Sequence, residues 1–257
     1  MFGAIVGDVV GSYYEFFNCK NEVFPLFCEK TRFTDDTVLT IAIADAFMNG
    51  KDYAITLKEY ARKYPLAGFG GSFVNWVDSN SIAPYNSWGN GSAMRVSSIA
   101  WLCNNLDDVL EESKKTAEVT HNHPEGIKGA QAIAASIFLA REDHNKEFIK
   151  NYIAKTFGYN LNRTLAEIRP SYNFDVSCQG SVPEAIIAFL ESSNFEDCIR
   201  KAISIGGDSD TIAAMAGGIA EAYYKAIPEE ILKKVFDIVR KNSDFFPVIT
   251  QFYEKMK

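Results

Sequence analysis

The chain has 257 residues, 47% of them hydrophobic and 13% aromatic, which is enough apolar material for one large core. Its net charge of -7 and pI near 5.1 offer no basic surface to a nucleic-acid backbone. The apolar start is broken by Asp8 and Glu15 and lacks a positive leader, so no membrane span or export signal is expected. Five cysteines, Cys19, Cys28, Cys103, Cys178 and Cys198, are odd in number and include no C-x-x-C pair. That argues against a disulfide framework and a zinc knuckle, and predicts reduced thiols in a cytoplasmic, monomeric protein. No linker or repeat interrupts the chain, so one domain, residues 1–257, is expected.

Residues 2–17 read as a helix with Gly3, Gly7 and Gly11 on one face, a face suited to close backbone packing. Glu15 follows on the same element, where a solvated helix-end glutamate is the plain alternative. After an irregular stretch, Thr34-Asp35-Asp36-Thr37 opens an apolar run to Asn49 that should be interior, with Gly50 as its stop. Residues 52–64 read as a surface helix with Tyr53, Leu57, Tyr60 and Tyr64 along a core-facing edge.

Residues 65–92 form the longest irregular region, and loops of that length are usually functional. It ends in Gly89-Asn90-Gly91-Ser92, which opens a helical run over 93–101 and is expected to present free backbone N–H groups at a positive helix end. That is anion chemistry, most simply for phosphate; an ordinary Asn-Gly turn is the alternative.

An acidic helix over 107–119 leads to Thr120-His121-Asn122-His123-Pro124. Two histidines one residue apart face opposite ways in an extended chain, and no thiol is near, so a substrate contact by His121 or a helix-terminal hydrogen bond is expected rather than zinc. Helices are predicted over 127–141, 142–157, 184–190 behind Pro183, and 195–204. The turn Gly206-Gly207 then leads through Asp208-Ser209-Asp210-Thr211 into a helix over 212–224. Its Ala213, Ala214, Ala216, Gly217, Gly218, Ala220 and Ala222 make it the natural partner of the N-terminal glycine face. Amphipathic helices over 231–240 and 245–256 close the chain. The only period-two alternation is Phe174, Val176, Cys178, so the fold is predicted to be all-α, a compact helical bundle.

Two acidic helix starts lie far apart in sequence, and either aspartate pair alone is a common cap. Together they offer four carboxylates and several hydroxyls. Unit charges about 4 Å apart repel by roughly 1 kcal/mol in water and several-fold more at a protein surface, so a meeting of the clusters calls for a cation. The donors are all hard oxygens with no Cys or His among them, which favours magnesium or manganese over zinc or copper.

Gly7-Asp8, Gly11-Ser12 and Glu15, then Thr34-Asp35-Asp36-Thr37, Gly89-Asn90-Gly91-Ser92-Ala93-Met94-Arg95, Thr120-His121-Asn122-His123-Pro124 and Gly206-Gly207-Asp208-Ser209-Asp210-Thr211 together resemble the ADP-ribosylglycohydrolase family over nearly the whole chain. The resemblance implies a di-metal centre of two magnesium or manganese ions, with Thr34, Asp35, Asp36, Asp208, Asp210 and Thr211 as ligands. It implies hydrolysis of the bond joining ADP-ribose to an acceptor, a protein side chain or a small conjugate. Glu15 matches a glutamate that some members carry on a mobile flap, and the proton acceptor is left open among Glu15, Asp35 and Asp36. Gly89, Asn90, Gly91, Ser92 and His121 would hold ADP-ribose at its diphosphate, with Tyr13, Tyr85 or Trp88 against adenine. A metal-dependent phosphoester hydrolase and a non-catalytic, crystallin-like member are the alternatives.

Overall fold

The computed structural model describes residues 1–256. Among them there are fifteen helices and no strand: α1 (Phe2–Gly11), α2 (Asp35–Asn49), α3 (Tyr53–Lys63), α4 (Gly71–Asp78), α5 (Gly91–Met94), α6 (Ser97–Leu102), α7 (Leu106–Glu118), α8 (Pro124–Arg141), α9 (Lys146–Phe157), α10 (Leu165–Ile168), α11 (Cys178–Glu191), α12 (Phe195–Ser204), α13 (Ser209–Tyr224), α14 (Glu229–Asn242) and α15 (Phe246–Lys255). The all-α expectation holds.

The bundle is organised around α13, which packs on α1, α8, α11 and α12. Glycine makes the α1–α13 contact possible. A Cβ added at Gly7 would lie 2.0 Å from the Ala213 carbonyl oxygen, and one at Gly3 would lie 2.1 Å from that of Gly217. Backbone therefore meets backbone along the pair, and nearly every residue of both helices is buried. Helix α2 is buried from Asp36 to Ala46, as its all-round apolar run predicts, and stops at Gly50 with φ +62°. The buried apolar residues form one continuous cluster reaching from Met1 to Phe252.

Several boundaries differ from the sequence reading. Helix α1 ends at Gly11, so Glu15 sits in the turns that follow rather than on the helix. The region 65–92 contains α4, whose Phe73, Trp76 and Val77 are buried at helical spacing behind Gly70 and Gly71. The run 93–101 is two short helices, broken at Arg95 and Val96. Helix α9 starts at Lys146 because the Asn145 side chain caps it, and α11 starts at Cys178 because Ser177 does, which leaves Pro183 inside a helix rather than at its first turn. The short alternation around Val176 is an extended segment lying against the Gly89 turn, joined to it by one antiparallel bridge, Gly89 with Ser177.

Candidate active site

Close packing of α1 brings an acid to the start of α2. Asp8 is fully buried and accepts hydrogen bonds from Thr34 N–H (3.0 Å), Thr34 Oγ1 (2.6 Å), Thr37 N–H (3.1 Å) and the Thr37 hydroxyl. These four donors fasten the first turn of α2 to the middle of α1. The start of α13 arrives from the other side: a Cβ on Gly11 would lie 2.5 Å from the Cα of Asp210. Thr211 Oγ1 donates to Asp36 Oδ2 at 3.0 Å and ties the two acidic helix starts together.

The approach to α13 is equally constrained. Gly206 and Gly207 have φ of +76° and +73°, the left-handed region that glycine tolerates. Lys20 Nζ holds this turn by donating to the carbonyls of Ile205 and Tyr172, both at 2.6 Å. Asp208 leaves the turn and accepts from Asn90 Nδ2 at 2.6 Å.

The outcome is two overlapping carboxylate groups, Asp8 with Asp36 and Asp210, and Glu15 with Asp208 and Asp210, whose oxygens within each group lie within 4.8 Å of one another. The two predicted clusters, 172 residues apart in sequence, do meet. Asp36 Oδ1 is buried with no hydrogen-bond partner. An orphaned carboxylate oxygen facing other acids is a donor set short of a positive charge, and hard oxygens suit a divalent cation. Burial pushes the Asp8, Asp36 and Asp210 carboxyls up, opposed at Asp8 by its four donors and reinforced at the other two by neighbouring acids. Asp35 keeps part of its surface open to the cleft, yet burial and the charges of Asp8 and Asp208 push it up to about 8. Glu15, in the turn, is pushed up to about 7 by burial and Asp208, against the pull of Arg32.

These acids floor a cleft of about 460 Å³. Glu15, Thr34, Asp35, Asp36, Asp208, Asp210 and Thr211 line it, and so do Gly89, Asn90, Gly91 and His121. Ser92 departs from the prediction: it is fully buried, and its hydroxyl donates to the Gly126 carbonyl at 2.7 Å, away from the cleft. The expectation of free backbone N–H groups at the Gly89 to Ser92 turn is met only in part. Gly89 N–H goes to Ser87 Oγ (3.1 Å) and Asn90 N–H to the Val176 carbonyl (2.7 Å), so only the Gly91 and Ser92 N–H groups are without a partner. Side-chain and strand-like pairing of the turn consume the other two.

The histidines part company. His121 lines the cleft, whereas His123 caps α8 by accepting from Glu125 N–H at 3.1 Å. Of the aromatics proposed against adenine, Tyr85 lines the cleft; Trp88 is exposed and meets His123 edge-on, and Tyr13 is stacked on Phe17. Sequence reasoning gave no site role to Asp8, which lies beneath the cleft beside Asp36 and Asp210, or to Arg95, Phe16, Phe73, Phe174 and Val176, which line it. An acid in the middle of a glycine-faced apolar helix is the signal that could have found Asp8.

An all-α bundle with carboxylates from three elements converging under a cleft has groups able to hold a metal ion. A family model described as ADP-ribosylglycohydrolase matches residues 1–256, and the chain belongs to that family, whose members are hydrolases of ADP-ribosyl bonds. Relatives include the human ADP-ribosylhydrolase ARH3, 26% identical over 86% of this chain and 83% of that protein. The ADP-ribosylarginine hydrolase Tri1 of Pseudomonas putida is 26% identical over 91% of this chain and 72% of its own. A solved structure titled ADP-ribosylglycohydrolase-related protein complex superposes with a TM-score of 0.73 at 21% identity, covering 99% of this chain and 95% of that one.

Proposed function

We propose that this cleft hydrolyses the glycosidic bond between ADP-ribose and the side chain of a modified protein, or a small conjugate, using two magnesium or manganese ions. The observation that carries the reading is the pair of carboxylate groups sharing Asp210 beside the Gly89–Gly91 turn. Asp36, Asp208 and Asp210 would hold the ions, with Thr34, Asp35 and Thr211 completing the oxygen set and Asp8 keeping α2 in place. When bound, such ions supply positive charge that fixes ribose hydroxyls and acidifies nearby water.

The chain's own groups then divide the remaining work. Cleavage at the anomeric carbon builds positive charge on the ribose, which the carboxylates beneath it stabilise. Asp36 and Asp210 reach the cleft but are almost wholly buried, whereas Glu15 and Asp35 keep more surface open to it. Proton removal from the attacking water therefore falls to Glu15 or Asp35. The Gly91 N–H group and His121 form the polar wall for the diphosphate, and Tyr85, Phe174 and Val176 offer apolar surface to the adenosine.

The test is to incubate the protein with arginine-linked and serine-linked ADP-ribosyl peptides and quantify free ADP-ribose by mass spectrometry, with magnesium or manganese and with chelator. Release that chelator abolishes supports the reading and names the acceptor. AMP or phosphate as the only product would transfer the site to phosphoester chemistry, and no product from any ADP-ribosyl conjugate would end the hydrolase reading.

A further inference from the structure

The cleft wall includes a buried cation that the proposed reaction leaves unused. Arg95, at the break between α5 and α6, is fully buried, and its Nη2 donates to the Thr116 carbonyl (3.0 Å) and to Thr120 Oγ1 (2.8 Å). A guanidinium has only donors, so the Thr120 oxygen must accept from it. Thr120 is itself fully buried, and the one other group within hydrogen-bond distance of its hydroxyl is His121 Nδ1, at 2.7 Å.

This leaves little choice for the protons. Were Nδ1 protonated, two donors would converge on the Thr120 oxygen and its own hydroxyl hydrogen would be buried with no acceptor. Buried polar hydrogens are rarely left so. With Nδ1 bare, the Arg95 Nη2 donors and the Thr120 hydroxyl hydrogen all have acceptors, while the Arg95 Nε and Nη1 donors stay buried without a partner. The second ring nitrogen then carries the proton. His121 Nε2 makes no hydrogen bond among the described residues and faces the glycine turn: it lies 3.2 Å from where a Cβ on Gly91 would sit and 3.6 Å from one on Gly89.

We propose that Arg95 and Thr120 are positioning residues that lock His121 in its Nε2–H tautomer, so that the cleft beside Gly91 presents an uncharged N–H donor to a bound anion. Burial first, and the Arg95 charge second, hold His121 well below the usual histidine range, in keeping with a neutral ring. Gly91 N–H, also without a partner, and His121 Nε2–H both belong to residues lining the cleft, where an oxyanion such as a diphosphate would lie. The identity of that anion rests on the function proposed above; the tautomer does not.

The experiment separates the two. In protein labelled with nitrogen-15 at histidine, the ring shifts show which nitrogen bears the proton, and His121→Gln assigns the signal among His121, His123 and His144. At about pH 7.5 the wild type is expected to show His121 protonated on Nε2 only. Thr120→Val, of similar shape but without the hydroxyl, should spread the proton over both nitrogens and weaken ADP-ribose binding roughly tenfold by calorimetry, the scale of one hydrogen bond to a charged group. Thr120→Ser should restore both the spectrum and the affinity. A wild-type ring protonated on Nδ1, or on both nitrogens, overturns the proposal even if Thr120→Val fails to fold, and so does an unchanged tautomer in folded Thr120→Val. If the wild type does not bind ADP-ribose, the functional reading fails while the ring spectrum still decides the tautomer.

Discussion

Asp36 has one oxygen satisfied by Thr211 and the other by nothing, an imbalance that the proposed cation would relieve. Asp36→Asn should remove the gain in melting temperature that magnesium confers and, with it, nearly all turnover. Glu15→Gln removes one of the two candidate bases and none of the proposed ligands, so it should retain most of the thermal gain, while turnover should fall about a hundredfold or more if Glu15 rather than Asp35 takes the proton, the usual scale of acid–base assistance. Thermal melts with and without magnesium, beside a turnover assay, check both; loss of the thermal gain in Glu15→Gln would make that residue a ligand first.

The same residues set the pH response of the metal-free protein. Asp35 and Glu15 are pushed up to about 8 and about 7, burial being the largest cause for each. A carboxyl that binds its proton more tightly folded than unfolded contributes stability that is full below the unfolded pKa, near 4, and is lost as pH rises through 7 to 8. With chelator present, the protein should therefore melt at a lower temperature at about pH 8.5 than at about pH 5.5. Excess magnesium, which favours the ionised acids, should shrink or invert that difference. A chelated protein whose melting temperature climbs across the same range would contradict the assignment.

Between elements, α1 and α13 meet through glycine, and the contact sets the distance between Asp8 and the start of α13. Gly7→Ala is the smallest perturbation available, yet its Cβ would sit 2.0 Å from a carbonyl oxygen of rigid helix backbone. Overpacking typically costs 1–3 kcal/mol, and with no flexible side chain to yield, Gly7→Ala should lose about 3 kcal/mol or more in urea unfolding. Its metal-dependent thermal gain should shrink as well, because helix separation carries the acids apart. A variant as stable as wild type would mean that the helices slide freely, and the contact would lose its role in aligning the site.

For the molecule as a whole, the proposed cation binding would be part of the stability. Carboxylates from α1, α2 and α13 are brought together only by folding, so an ion bound there selects the folded state. At a hundredfold excess over the dissociation constant that is worth about 2.7 kcal/mol. For a chain of this size the gain corresponds to a rise in melting temperature of roughly 5 to 10 °C, which chelator should reverse without changing helix content. No shift with either magnesium or manganese would remove the cation from the site. No helix among the described residues is long and apolar enough to cross a membrane.

The sequence by itself determined the all-α class, most of the longer helices and the chemistry of the donors. Local spacing makes α2 apolar all round, Gly50 stops it, and the acids at Asp35, Asp36, Asp208 and Asp210 are hard oxygens wherever they lie. Short-range rules reach that far because capping and periodicity depend on neighbours within a few residues. Tertiary structure alone decided that Asp8 joins the acids, that two of the expected N–H donors are consumed by Ser87 and Val176, that Ser92 turns away to Gly126, and that His121 faces the cleft while His123 caps a helix. Each of these is fixed by a hydrogen bond or a packing contact to a partner on a neighbouring loop or another element. Which donor is spent inside the fold, and which is left for a ligand, is settled only when those elements close on one another.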